Sequence, residues 1–237
     1  MCGRFTLRTP IQSVAELFDL PAVEFQRAAG PAARFNVAPT QAIAGVRWNA
    51  ALRMRELAWL HWGLIPAWAD DPSIGKRMIN ARAETVATKP AFRDAFRSRR
   101  CLVPADGFYE WKRQNRSKQP YYIRLNDGRP FAFAGMWQRW QRAETLIDSC
   151  TILTTDANEL VAALHDRMPV ILDPQQFEQW LDPAVDDPEI LSPLLAPYPA
   201  DRMTAYPVSR VVNSPHIDGP ACIEPAVPGK TQGSLFD

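Results

Sequence analysis

Histidine and glycine are scarce in this sequence of 237 residues, at three and 11 positions, and its four cysteines contain no CxxC spacing. Three scattered imidazoles and four separated thiols (Cys2, Cys101, Cys150, Cys222) argue against a structural metal site and against a disulfide framework. No metal and no cofactor is expected. The patterns GxGxxG, GxxxxGK[ST], GxSxG and HExxH are also missing, which leaves dinucleotide, P-loop, hydrolase-elbow and zincin chemistries without support. The longest apolar run, Leu57 to Ala69, is interrupted by His61, Gly63 and Pro66 and is too short to span a bilayer. No charged leader followed by an apolar stretch opens the chain, so a cytoplasmic location without membrane contact is the expectation.

Proline and tryptophan, by contrast, are abundant, at 22 and eight positions, which favours short elements and many turns over long helices. The formal charge of +1 conceals an asymmetry: residues 1–116 hold 18 basic and 10 acidic side chains (+8), residues 117–237 hold 9 and 16 (−7). Such a split is a weak pointer to a basic face for an anion such as nucleic acid. Thr9-Pro10 reads as the cap and first turn of a helix through Phe18, with strands at about 42–48 and 53–62. Two short helices follow within 82–98, then strands around Cys101–Pro104 and Gly107–Trp111. Asn126-Asp127-Gly128 between strands at 120–125 and 131–137 reads as a hairpin with antiparallel pairing. Asp156 reads as the cap of a helix after strand 150–155, and Asp173-Pro174 as the start of another. Without regular βα alternation this mosaic implies an α+β fold, with a curved antiparallel, barrel-like β-sheet core and short flanking helices. One domain over 1–225 and a disordered tail over 226–237 complete the expected organisation.

Cys2 is the most informative position. A small second residue lets Met1 be removed, which would leave an N-terminal cysteine carrying both a thiol and an α-amine. The amine titrates near pH 8, and the thiol beside it is expected to ionise readily. Such a pair is suited to aldehydes: the amine condenses to a Schiff base and the thiol closes on the imine carbon as a thiazolidine. Glu110, in Gly-Phe-Tyr-Glu-Trp, shares a strand face with Phe108, so partial desolvation and a raised pKa are expected of it.

Met1-Cys2-Gly3-Arg4-Phe5, Arg34-Phe-Asn-Val-Ala-Pro39, Trp62-Gly-Leu-Ile-Pro66, Ile79-Asn-Ala-Arg-Ala-Glu-Thr85, Cys101-Leu-Val-Pro-Ala-Asp-Gly-Phe-Tyr-Glu-Trp111, His165-Asp-Arg-Met-Pro169 and Pro207-Val-Ser-Arg210 occur in this order. Together they resemble the SRAP (SOS response-associated peptidase) family of abasic-site processing proteins. The resemblance implies covalent capture of the abasic-site aldehyde in single-stranded DNA through Cys2. It also implies AP lyase activity, self-removal of Met1 and a nucleoid-associated bacterial setting. It assigns catalysis to Cys2, Asn80, Glu110 and His165, and DNA contacts to Arg4, Asn36, Pro39, Trp68, Arg82 and Arg167. Where some relatives carry a second aromatic after the loop tryptophan this chain has Ala69, and Pro90 stands where an arginine can occur. A peptidase acting on other proteins through Cys2 and His165 is the alternative, and a noncovalent single-stranded DNA module a third reading. Gln232-Gly-Ser-Leu-Phe236 resembles a peptide for the replication sliding clamp, a separate partner.

Overall fold

The computed structural model describes residues 2–21, 33–114 and 117–226; the expected tail and its clamp-like peptide lie outside them, apart from Ala226. Two sheets carry the architecture. In the larger, β3 (Ala42–Asn49) lies between β4 (Met54–Trp62) and β6 (Arg100–Ala105), and β6 continues to β9 (Phe131–Arg142). The long strand β10 (Thr145–Asp156) pairs with both β9 and β4, so these five strands close into a barrel. Two short strands extend one side of it: β11 (Arg167–Pro169) on β10 and β12 (Ile171–Leu172) on β9. Most pairings are antiparallel. The exceptions are β10 with β4 and β10 with β5 (Asn80–Arg82), which run parallel on one edge of β10. The second sheet has the order β13 (Met203–Pro207), β8 (Ser117–Leu125), β7 (Gly107–Gln114), β1 (Phe5–Leu7), β2 (Arg34–Val37).

The pattern of β9 explains its place in the barrel wall. Phe131 and Phe133 enter one apolar cluster while Ala132, Ala134 and Met136 enter the other, so both faces are buried. Short helices cover the second cluster, supplying Val14, Phe18, Phe96, Phe177 and Trp180. Buried Arg100 ties these helices together: its guanidinium donates to the carbonyls of Phe96, Arg97, Trp180, Asp182 and Val185. Burial pulls its pKa down to about 10, and the five carbonyl acceptors replace the lost water.

Three local expectations are corrected. The Asn126-Asp127-Gly128 turn exists, with Gly128 at φ +71°, but β8 and β9 do not pair. β8 joins β7 and β13, whereas β9, apolar on both faces, already has β6, β10 and β12 as neighbours. Asp156 caps no helix; Asn158 does, accepting from Val161 N–H at 3.0 Å. Thr9 likewise makes no cap to the helix Ile11–Leu17, because its hydroxyl and N–H both donate to the Asp106 carboxylate.

Gly63, at φ +137°, lets the chain leave the barrel after β4, and an added Cβ there would lie 2.6 Å from the carbonyl oxygen of Gly75. The loop it starts is pinned by Ile65 N–H on Ser149 Oγ (2.8 Å) and by Trp140 Nε1–H on the Ala69 carbonyl (2.8 Å). Ala69 is buried against Ile65 and Trp140, so position 69 faces inward here and Trp140 fills that space. Trp68 projects from the loop, 58% exposed.

Between the sheets lies Phe5, whose ring meets Trp62 edge-on at 5.2 Å and Phe133 at 5.8 Å. Phe5→Ala should cost about 3–5 kcal/mol of stability, as full-sized aromatic truncations in packed cores do. Urea unfolding measures it, and a loss below about 1 kcal/mol would show that this ring is not the anchor of the first strand.

Candidate functional site

Strand β1 is inserted between β2 and β7, with Phe5 opposite Val37 on one side and Phe108 on the other. Tyr109 N–H donates to the Arg4 carbonyl at 3.0 Å, and Asp106 accepts from Arg8 N–H and Thr9. The first residues of the chain are therefore held like core strand. Cys2 is fully buried in the cluster that contains Phe5, Trp62 and Phe108. Its carbonyl accepts from Asn80 Nδ2 at 2.9 Å. Its thiol faces the Arg4 carbonyl at 3.9 Å.

Burial, and then the negative charge of Glu110, push the Cys2 thiol well above the ordinary thiol range, opposed by the amino-terminal charge. In the chain that carries Met1, burial therefore opposes ionisation of this thiol; the readily ionised thiol is expected of the terminus freed of Met1. Glu110 is itself buried, 3% exposed. Desolvation raises its pKa against the opposing pull of the amino-terminal charge and of His165. That is the outcome its alternation with Phe108 predicts.

His165 follows the helix Glu159–Ala162, its N–H closing the last turn on the Val161 carbonyl at 2.9 Å. Its Nδ1 lies 3.0 Å from Arg167 N and 2.8 Å from Asp166 Oδ1. In the neutral ring Nδ1 accepts from the first, which puts the proton on Nε2; in the charged ring Nδ1 also carries a proton and donates to the second. Glu110 and His165 line one cleft of about 590 Å³.

β10 organises what surrounds Cys2. On one edge, β5 pairs Asn80 with Ile152 and Arg82 with Thr154; on the other, β11 pairs Arg167 with Asp156. Asn80 Oδ1 is buried and has no hydrogen-bond partner among the described residues, leaving an acceptor beside Cys2. Arg82 is exposed, and no acid within hydrogen-bonding reach engages it among the described residues. Arg167 is different: it donates to Glu84 (2.6 and 3.0 Å), Asp156 (2.7 Å) and the Thr154 carbonyl (2.6 Å). The Arg167 guanidinium holds Glu84 below the usual carboxylate range.

Arg4 and Asn36 are also engaged inside the fold. Arg4 Nη1 donates to Asn36 Oδ1 (2.7 Å) and the Val212 carbonyl (2.9 Å). Asn36 Nδ2 reaches the carbonyls of Val212, Ser214 and Ile217. These two side chains brace the segment 212–217, while Pro39 is half-buried just beyond β2. The structure thus brings Cys2, Asn80, Glu110 and His165 together, with Arg82 and Arg167 at the edges of β10. Unforeseen members of this neighbourhood are Asp156 and Glu84, which clamp Arg167, and Asn213, which accepts from Trp111 Nε1 at 2.8 Å. Glu84 stood inside the Ile79–Thr85 motif; nothing in the local sequence marked Asp156 or Asn213.

The family model described as SOS response associated peptidase (SRAP) matches residues 1–215. Among relatives, YoqW of Bacillus subtilis, named an abasic site processing protein, is 46% identical over 230 residues, covering 94% of this chain and 99% of that protein. YedK of Escherichia coli, with the same descriptive name, is 31% identical over 236 residues, covering 95% and 100%. A crystal structure of a Bacteroides thetaiotaomicron protein matches with a TM-score of 0.84 at 28% identity, covering 95% of this chain and 100% of its own. On the extent of the family match and the identity to these relatives, the chain belongs to the SOS response associated peptidase family.

Proposed function

We propose that the protein processes abasic sites in single-stranded DNA by capturing the ring-opened aldehyde on an N-terminal Cys2, after Met1 has been removed by self-processing or by an aminopeptidase. The observation that carries this reading is the convergence on Cys2 of Asn80 and the buried carboxyl of Glu110. The names of the relatives supply the substrate class.

The α-amine freed by loss of Met1 attacks the aldehyde carbon first, and the thiol follows. Glu110 or His165, as the acid, then donates a proton to the carbinolamine hydroxyl, which leaves as water and gives the protonated imine. The thiol adds to the imine carbon, its proton passes to the conjugate base and restores the acid, and a neutral thiazolidine results. A carboxyl whose pKa burial raises is better able both to give and to take a proton, which fits these two opposite steps. Asn80 orients Cys2 through its carbonyl and offers Oδ1 to a sugar hydroxyl. The imine also permits β-elimination at the lesion, the AP lyase outcome. Arg82 and the Trp68 ring would hold the flanking strand by phosphate contact and stacking. A peptidase acting in trans has no need of a free amino terminus on its nucleophile, which argues against that alternative.

Single-stranded DNA with one abasic site, incubated with the protein and run on a denaturing gel, should give a heat-stable crosslink that Cys2→Ala and Cys2→Ser lose. Glu110→Gln should slow its formation by about 100-fold or more. Intact mass should lack Met1. Retained Met1, or a crosslink in Cys2→Ala, contradicts the reading.

Burial has a second consequence at Glu110. A carboxyl whose pKa is higher folded than unfolded makes the folded state bind more protons between the two values, so stability falls as pH rises through that window. Glu110→Gln removes this titration. The stability difference should therefore shift in favour of the variant from about pH 4.3 upward, measured by urea midpoints between pH 4 and 8. A difference independent of pH would contradict the assignment.

A further inference from the structure

The cleft floored by Glu110 and His165 continues outward along the β7–β8 hairpin, where its wall is formed by Trp111, Lys112, Arg113 and Lys118. Arg113 and Lys118 are directly opposite each other across the two strands, an arrangement of like charges that costs hairpin stability. All three cations are exposed. Lys112, Arg113 and Lys118 have no ion-pair partner among the described residues, in contrast to Arg47, Arg139 and Arg167, which are all matched to carboxylates. Trp111 is held by Asn213 through its Nε1, so an indole is preset in the same wall. Arg210 reaches this hairpin through Ser117 Oγ at 3.4 Å. Unmatched cations beside a fixed aromatic make a surface for a phosphodiester chain with bases to stack.

The position of this wall relative to β10 assigns it a side. Asn80 and Arg82 lie on the β5 edge of β10, which also carries β4 and the Trp68 loop that follows it. The hairpin meets the segment 163–166 that leads into β11, on the opposite edge. We infer that the β7–β8 hairpin is a second DNA-binding arm, gripping the backbone of single-stranded DNA on the flank of the lesion opposite Trp68 and Arg82. This rests on the abasic-site reading for the identity of the polymer. A strand so held would pass from the Trp68 loop across Cys2 and leave over Lys112, Arg113 and Lys118. The strained cross-strand pair is relieved when phosphate lies between its charges.

The test uses the full chain and the triple variant Lys112→Ala, Arg113→Ala, Lys118→Ala, with unfolding midpoints confirming an intact fold. Anisotropy of undamaged fluorescent single-stranded DNA, followed from 50 to 200 mM salt, should show the log–log salt slope reduced by about 2 in the variant, at roughly 0.7 for each phosphate no longer neutralised. Crosslinking rates are then compared on three oligonucleotides with the abasic site central, near the 5′ end or near the 3′ end. The variant should be slower on the central lesion and on one of the two end lesions, and equal to wild type on the other, which has no nucleotides reaching the hairpin. Unchanged salt slope and rates would overturn the arm, as would an equal loss on all three substrates. If wild type fails to crosslink at all, the Cys2 reading fails, and the anisotropy slope still decides the hairpin.

Discussion

The structure depends on an amino terminus that cannot fray. Phe5 fills the space between the two sheets, against Trp62 and Phe133, and β1 has a hydrogen-bonded neighbour on each side. Chain ends are ordinarily loose because nothing offsets the conformational entropy lost when they are ordered. Here a buried aromatic ring and two ladders do so, and the residue three positions earlier inherits their rigidity. A side chain on a free end would sample many orientations; Cys2 is tied at its carbonyl by Asn80 and carried by this strand.

That rigidity has an electrostatic side. The same burial that positions Cys2 withholds solvent from its thiol and from the Glu110 carboxyl, raising both. Burial thus makes ionisation harder for both acids in this one cavity. The fold supports such a site through polar groups committed elsewhere. Arg4 and Asn36 direct their hydrogen bonds to the segment 212–217, which in turn fixes the Trp111 indole through Asn213. In this structure Arg4 and Asn36 both hydrogen-bond inside the fold and brace this segment.

Much of this was legible beforehand because short-range rules suffice for it. Alternation placed Glu110 on the inner face of its strand, and the ordered motifs gathered the residues now found around Cys2. The α+β barrel-like architecture also followed from the mosaic of short elements. What was not legible was pairing over distance. Asn126-Asp127-Gly128 encodes a reversal of direction but not which strand will lie beside β8, and that choice is made by the buried faces of β9. Asp156 looked like a cap because caps and ion-pair partners are the same residue type; Arg167, 11 residues later, decides between them. The burial of Cys2 is a further case: proximity of an amine can be read from a sequence, whereas the packing of Phe5, Trp62 and Phe108 around it needs the folded core.

The insertion of β1 also sets a timetable. Its strand partner β7 begins a hundred residues later, at Gly107, and Phe133 lies further still along the chain. His165 and the clamp on Arg167 come after that. β1 therefore cannot be fully enclosed until segments about a hundred and more residues further on have formed. Only then is the pocket around Cys2 closed. A chain cut short before His165 would carry Cys2 without the full cluster of side chains that packs around it.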